Sequence, residues 1–162
     1  MSASHKFEID LRWTGHSGSG TADYRAYSRD HVFRAPGKPE IAGSSAPVFR
    51  GDASRYNPED LLVASLSGCH MLWYLHLCAI NGIVVEEYSD HATGEMTTGA
   101  DGGGRFTSVT LHPRVRISSG DPEKARKLHH EAHRLCFIAN SVNFPVSCEP
   151  QAIDNKPETT AG

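Results

Sequence analysis

The chain has 162 residues, a length that fits one domain with a real core. Hydrophobic residues make up 38% and charged residues 22%, with a net charge of −3, the profile of a soluble globular protein. No Lys/Arg block appears, so nucleic-acid binding has no electrostatic support, and the opening "MSASHKFEID" lacks the apolar core of a signal peptide, which leads us to expect a cytoplasmic location.

The first element is "FEIDLRW". Phe7, Ile9, Leu11 and Trp13 alternate with Glu8, Asp10 and Arg12, the pattern of a half-buried strand. The Gly/Ser turn "TGHSGSG" and a second strand over "TADYRAYSRD" complete an expected hairpin. Residues 35–56 are rich in Pro, Gly, Ser and Asp and read as a long connection, of the kind that often carries function. A helix then starts at Asn57: Asn caps well, Pro58 suits the first helical position, and Glu59 and Asp60 match the positive end of the dipole. It runs to about Ile80, where Asn81 and Gly82 stop it. Ser65, Ser67, His70 and His76 interrupt its apolar run, so it reads as a core helix covered on all sides rather than a membrane span.

Further along, "IVVEEY" and "HATGEMTT" are strands, "DGGG" is a turn, and "RFTSVTLHPRVRIS" alternates again. Val109, Leu111, Pro113, Val115 and Ile117 share one face, with Pro113 marking an edge or a break. Asp121 and Pro122 open a second helix whose apolar stripe holds Ala125, Leu128, Ala132, Leu135, Cys136 and Ala139. A short strand near Ala152 and Ile153 and a loose tail over 154–162 close the chain. The expectation is one α+β domain over residues 1–162, with antiparallel sheet packed around two central helices.

Four cysteines stand at positions 69, 78, 136 and 148, without C-x-x-C or zinc-finger spacing. Cys69, mid-helix among apolar residues, reads as a packing residue or as a nucleophile. The second role needs a cation to hold a thiolate, and no Lys or Arg lies between Asp60 and Gly104. The cation must then come from elsewhere in the fold, with Arg25, Arg29, Arg34, Arg50 and Arg55 as candidates. Cys136 lies on the buried face of the second helix, so the two thiols form either packing residues or a redox pair. Cys78 is roughly 13 Å further along the first helix than Cys69, beyond disulfide reach. Cys148 reads as structural or idle.

Glu59 alone is a surface acid matched to the helix dipole, or a carboxylate that grips an arginine serving the thiol. "HHEAH" sets His129 and His133 four apart, but Glu131 is out of register for the zinc-protease pattern, and these histidines read as solvated or partly packed. His70 points about 100° around the helix from Cys69 and is a poor base for it. "SGSG" and "DGGG" lack a phosphate-loop pattern.

Taken together, "NPEDLLVASLSGCH" and "EAHRLCFIANS", with "RWTGHSGSGTADY" at the front, resemble the OsmC/Ohr family over most of residues 7–153. The resemblance implies an intertwined homodimer and thiol peroxidase activity toward organic hydroperoxides, in some members hydrogen peroxide. It assigns Cys69 as the peroxidatic thiol, Cys136 as the resolving thiol, and Glu59 as the acid that holds an arginine near the sulfur. Arg50 and Arg29 are the candidates for that arginine, Arg50 slightly ahead. A dithiol, such as a lipoylated protein, would restore the thiols; no cofactor and no metal are implied. The sequence departs from the family pattern in having Phe137 rather than Pro after the second cysteine. A non-catalytic dimer that binds a small apolar ligand, its cysteines structural, is the alternative, and a histidine-based metal hydrolase a distant third.

Overall fold

The computed structural model describes residues 3–155 and divides the chain into two compact units, Met1–Leu62 and Val63–Gly162, where the sequence shows no boundary. The first unit holds a three-stranded antiparallel sheet of β1 (Asp10–Trp13), β2 (His31–Arg34) and β3 (Ile41–Gly43), in the order β1-β2-β3. The second strand therefore lies beyond the segment 21–30 expected to form it. That segment folds into turns instead: Ala26 N–H donates to Asp23 O at 3.0 Å, and Arg25 N–H to Asp23 Oδ1 at 2.8 Å. Short polar side chains that bond their own backbone compete with a strand ladder, and here they win. β3 falls inside the expected connection, where His31 pairs with Gly43. A Cβ at Gly43 would meet the His31 ring at 2.4 Å, so a larger residue there would have to displace that ring.

Helix α1 (Pro58–Ile80) begins and ends as its sequence predicts. Asp60 N–H donates to Asn57 Oδ1 at 2.8 Å, and Ile83 N–H reaches back to Cys78 O at 3.0 Å across Gly82, whose φ is 71°. In the second unit, β4 (Val84–Asp90), β7 (Pro113–Ser119) and β9 (Ala152–Asn155) form one sheet, while β5 (Thr93–Thr98), β6 (Gly104–Leu111) and β8 (Val146–Cys148) form another. The sheets are mixed rather than antiparallel, because β8 pairs parallel to β6 and β9 parallel to β7. Each closing strand follows α2, and that crossover brings it back in the direction of its partner. Asp154 and Asn155 thus belong to a strand, and the rest of the expected tail, residues 156–162, lies outside the described residues.

The predicted face of Val109, Leu111, Pro113, Val115 and Ile117 is buried throughout. Val115 and Ile117 pack with Tyr74 and Leu77 of α1 and with Ala125, Leu128 and Ala132 of α2 (Pro122–Leu135). Asp121 caps α2, accepting from Glu123 N–H at 2.9 Å. Full coverage of α1 is not met within the chain. Leu66, His70, Tyr74, Leu77 and Cys78 are buried, but Leu72 and Ile80 are each 65% exposed. One chain supplies cover for one side of a helix that is apolar on several.

Candidate active site

Cys69 lies half-buried in the middle of α1, while Cys136 is buried and ends α2 as its C-cap, its N–H bonded to His133 O at 3.3 Å. The chain leaves α2 at Cys136, whose thiol interacts with that of Cys69 on α1. All four cysteines are free thiols. Burial pushes the Cys136 thiol up to about 11, opposed by the N–H of Ala139, which lies 3.4 Å from its sulfur; the Cys69 contact pushes it up further. Two free thiols from different elements that interact with each other are arranged for thiol–disulfide chemistry.

Glu59, Arg29 and Arg50 belong to the first unit. Glu59 stands in the first turn of α1 with its Oε2 buried and without a hydrogen-bond partner. Arg29 is held by two rings and two carbonyls: its guanidinium lies 4.3 Å from the Tyr24 ring centroid and 4.1 Å from that of Tyr27, and donates to the carbonyls of both residues at 2.7 and 2.6 Å. It lines a cavity of about 350 Å³ with Trp13, Tyr27, His31 and Ser44. Arg50 is exposed and follows the 3-10 turn Pro47–Phe49, with its backbone in the left-handed region at φ 64°.

The OsmC family profile, described as OsmC-like protein, matches residues 51–151. The chain belongs to the OsmC-like family. A solved OsmC-like protein from Vibrio cholerae O1 biovar eltor, described as of unknown function, superposes with a TM-score of 0.82 at 32% identity, over 91% of this chain and 99% of its own. An organic hydroperoxide resistance protein from Elizabethkingia anophelis gives 0.64 at 20% identity, covering 95% and 100%. The organic hydroperoxide resistance protein OhrB of Bacillus subtilis gives 0.59 at 22%, covering 90% and 98%. These last two share the fold of this OsmC-like chain. No curated protein matches its sequence. The matched family segment contains Glu59, Cys69 and Cys136 but neither Arg29 nor Arg50.

One cluster of this OsmC-like chain escaped the sequence reading. His129 is only 3% exposed rather than solvated, and its Nδ1 lies 3.1 Å from Nε2 of His70, itself 1% exposed. Cys148 Sγ, on β8, approaches the same His70 nitrogen at 3.5 Å. Burial drives both imidazoles down, His70 to about 4 and His129 to about 3, and pushes the Cys148 thiol up to about 12. No spacing joins three residues on α1, α2 and β8, so the sequence carried no signal for them.

Proposed function

We propose that the protein is a thiol peroxidase that reduces organic hydroperoxides, with Cys69 as nucleophile and Cys136 as resolving thiol. The interacting pair of free thiols, Cys69 and Cys136, is the observation that supports this reading most directly. The Cys69 thiolate attacks the distal peroxide oxygen, the O–O bond breaks, and the alkoxide leaves and takes a proton as alcohol. Cys69 is then a sulfenic acid. The Cys136 sulfur displaces its hydroxyl, the Cys136 proton leaves with it as water, and a disulfide remains. A dithiol reductant, a lipoylated protein by family analogy, returns both thiols. In this reading an arginine stabilises the thiolate and the charge developing on the peroxide, and Glu59, whose buried Oε2 has no partner in the structure, is the carboxylate that would take it up. Arg29, held against Tyr24 and Tyr27, and Arg50 are the two candidates.

The working form in this reading is a homodimer. Phe7 is 91% and Leu11 64% exposed in the first unit, and Leu72 of α1 is 65% exposed in the second; each unit presents apolar side chains that a second copy would cover. Ser65, Ser67 and His76 on the same helix argue against a bilayer as the cover. Four free thiols suit a reducing cytoplasm.

The test is consumption of cumene hydroperoxide with a dithiol reductant. Cys69→Ser is expected to lower the rate by more than about 100-fold, and one equivalent of peroxide should convert wild type to a Cys69–Cys136 disulfide seen by mass. Equal rates in wild type and Cys69→Ser would reject the proposal. A non-catalytic ligand-binding protein is the second reading, favoured by the cavity beside Trp13 and Tyr27. It predicts instead that Cys69 resists alkylation until the protein unfolds.

A further inference from the structure

The cluster of His70, His129 and Cys148 has no part in that chemistry. We propose that these three side chains form a buried site for copper(I). Their donor atoms come from α1, α2 and β8 and all lie within 4.8 Å of one another. The two imidazole planes are within 3° of parallel with centroids 5.4 Å apart. With 3.1 Å between the nitrogens, that separation leaves room only for the two ring radii, so the rings meet head to head in one plane. The thiol sulfur stands beside the same vertex.

Hydrogen bonding fills this vertex poorly. His70 Nε2 offers one lone pair or one proton to two neighbours, His129 Nδ1 and Cys148 Sγ. The outer nitrogens, His70 Nδ1 and His129 Nε2, are buried without hydrogen-bond partners. A cation at the vertex accepts all three lone pairs at once, with the ring protons on the outer nitrogens. For bonds of about 2.0 Å to nitrogen and 2.3 Å to sulfur, three-coordinate geometry sets the donors about 3.5 and 3.7 Å apart. The observed 3.1 and 3.5 Å lie within a few tenths of an ångström of those values, and the remaining sulfur–nitrogen pair, Cys148 with His129, lies within 4.8 Å and closes with a tilt of each ring.

Copper(I) fits better than zinc for three reasons. The cluster contains three donors, whereas structural zinc takes four. Thiolate and imidazole are the soft and borderline ligands that hold copper(I). One thiolate with Cu⁺ is neutral, which suits a core where the Tyr74 ring stacks on His129 at 3.9 Å, while Zn²⁺ would leave a net positive charge there. Binding is a proton exchange without electron transfer: the Cys148 S–H bond breaks, the S–Cu bond forms, and the proton goes to solvent.

The test uses the chain with Cys69→Ser and Cys136→Ser, so that the redox pair cannot take up metal and failure of the peroxidase reading does not affect the outcome. Anaerobic titration with Cu(I) against a chromophoric chelator should show one equivalent bound, and X-ray absorption should show two nitrogens and one sulfur around copper. Adding Cys148→Ser, an isosteric change at a half-buried position, should weaken binding by at least about 100-fold while circular dichroism stays unchanged. His129→Gln should weaken it likewise. Absence of a bound equivalent, equal affinity after Cys148→Ser, or zinc binding without copper(I) binding would each overturn the proposal.

Discussion

In β7, alternate residues from Pro113 to Ile117 are buried, whereas all four residues of β1 are exposed although the sequence around β1 alternates just as strictly. The difference lies in what each unit provides. β7 is covered by two helices of its own unit, and Ile117 packs with Tyr74 and Leu128. β1 belongs to a small sheet with a polar turn segment and one short 3-10 turn, too little to bury Leu11. Alternation specifies which face a strand will cover, and a different part of the sequence decides whether the chain covers it unaided.

Truncating each face should break that comparison most strongly. Ile117→Ala is expected to cost about 2–5 kcal/mol in urea unfolding, independent of protein concentration, because it opens a cavity among buried neighbours. Leu11→Asp should leave the unfolding midpoint of the larger unit unchanged and convert a dimer to a monomer in sedimentation experiments. If Leu11→Asp instead unfolds the whole chain at every concentration, the two faces are not different in kind.

Acid offers a second contrast. His70 and His129 sit in the larger unit with values near 4 and 3, lowered from 6.5 first by burial; His133 further lowers His70 while Asp90 opposes, and Arg126 adds to the effect on His129. The unfolded chain takes up protons near 6.5 and the folded chain does not, so the unfolded state binds more protons below that pH. Metal-free protein should therefore be most stable above about pH 6.5 and lose stability progressively as pH falls toward 4 and 3. A flat urea midpoint between pH 7 and 5 would show that the pair is not buried neutral in solution.

These contrasts also explain what could be read in advance. Both helix starts and the end of α1 were legible because Asn57, Pro58, Asp121, Pro122 and Gly82 act locally, and the β7 face was legible from its period; α2 instead stops at Leu135, with Cys136 as its cap and Ala139 in a separate 3-10 turn, short of the stripe expected to carry both. β2 was misplaced because Asp23 and its neighbours offer turns that periodicity does not weigh. The parallel pairings of β8 and β9 depend on where α2 returns the chain, which no local pattern encodes. Cys69 and Cys136 were identified as candidates by their place on apolar faces, whereas His70 and Cys148, 78 residues apart, meet through sheet topology alone.

Helix capping gives a smaller effect. Asp121→Ala should cost about 1 kcal/mol, since it removes the acceptor of Glu123 N–H at the start of α2. Because Cys136 ends the same helix, disulfide formation after peroxide should remain intact in this variant. Loss of the disulfide at unchanged α2 helicity would mean that the cap, not the thiol contact, positions Cys136.

The smallest effect separates the two arginines. Arg50 holds φ 64°, a conformation that costs an L-residue about 1 kcal/mol and glycine almost nothing. Its N–H bonds Pro47 O, and glycine keeps that bond. Arg50→Gly should therefore leave stability equal or raise it by up to about 1 kcal/mol. The peroxidase rate then reports on function free of any folding defect. Arg29 is already immobilised by two rings and two carbonyls, the pre-organisation a charge-stabilising group needs. If Arg29 serves Cys69, Arg50→Gly retains the wild-type rate and Arg29→Lys, whose ammonium lacks the guanidinium fork that reaches both carbonyls, loses most of it. A stabilised but inactive Arg50→Gly would assign the role to Arg50 and leave Arg29 as a brace for the Tyr24–Tyr27 turn.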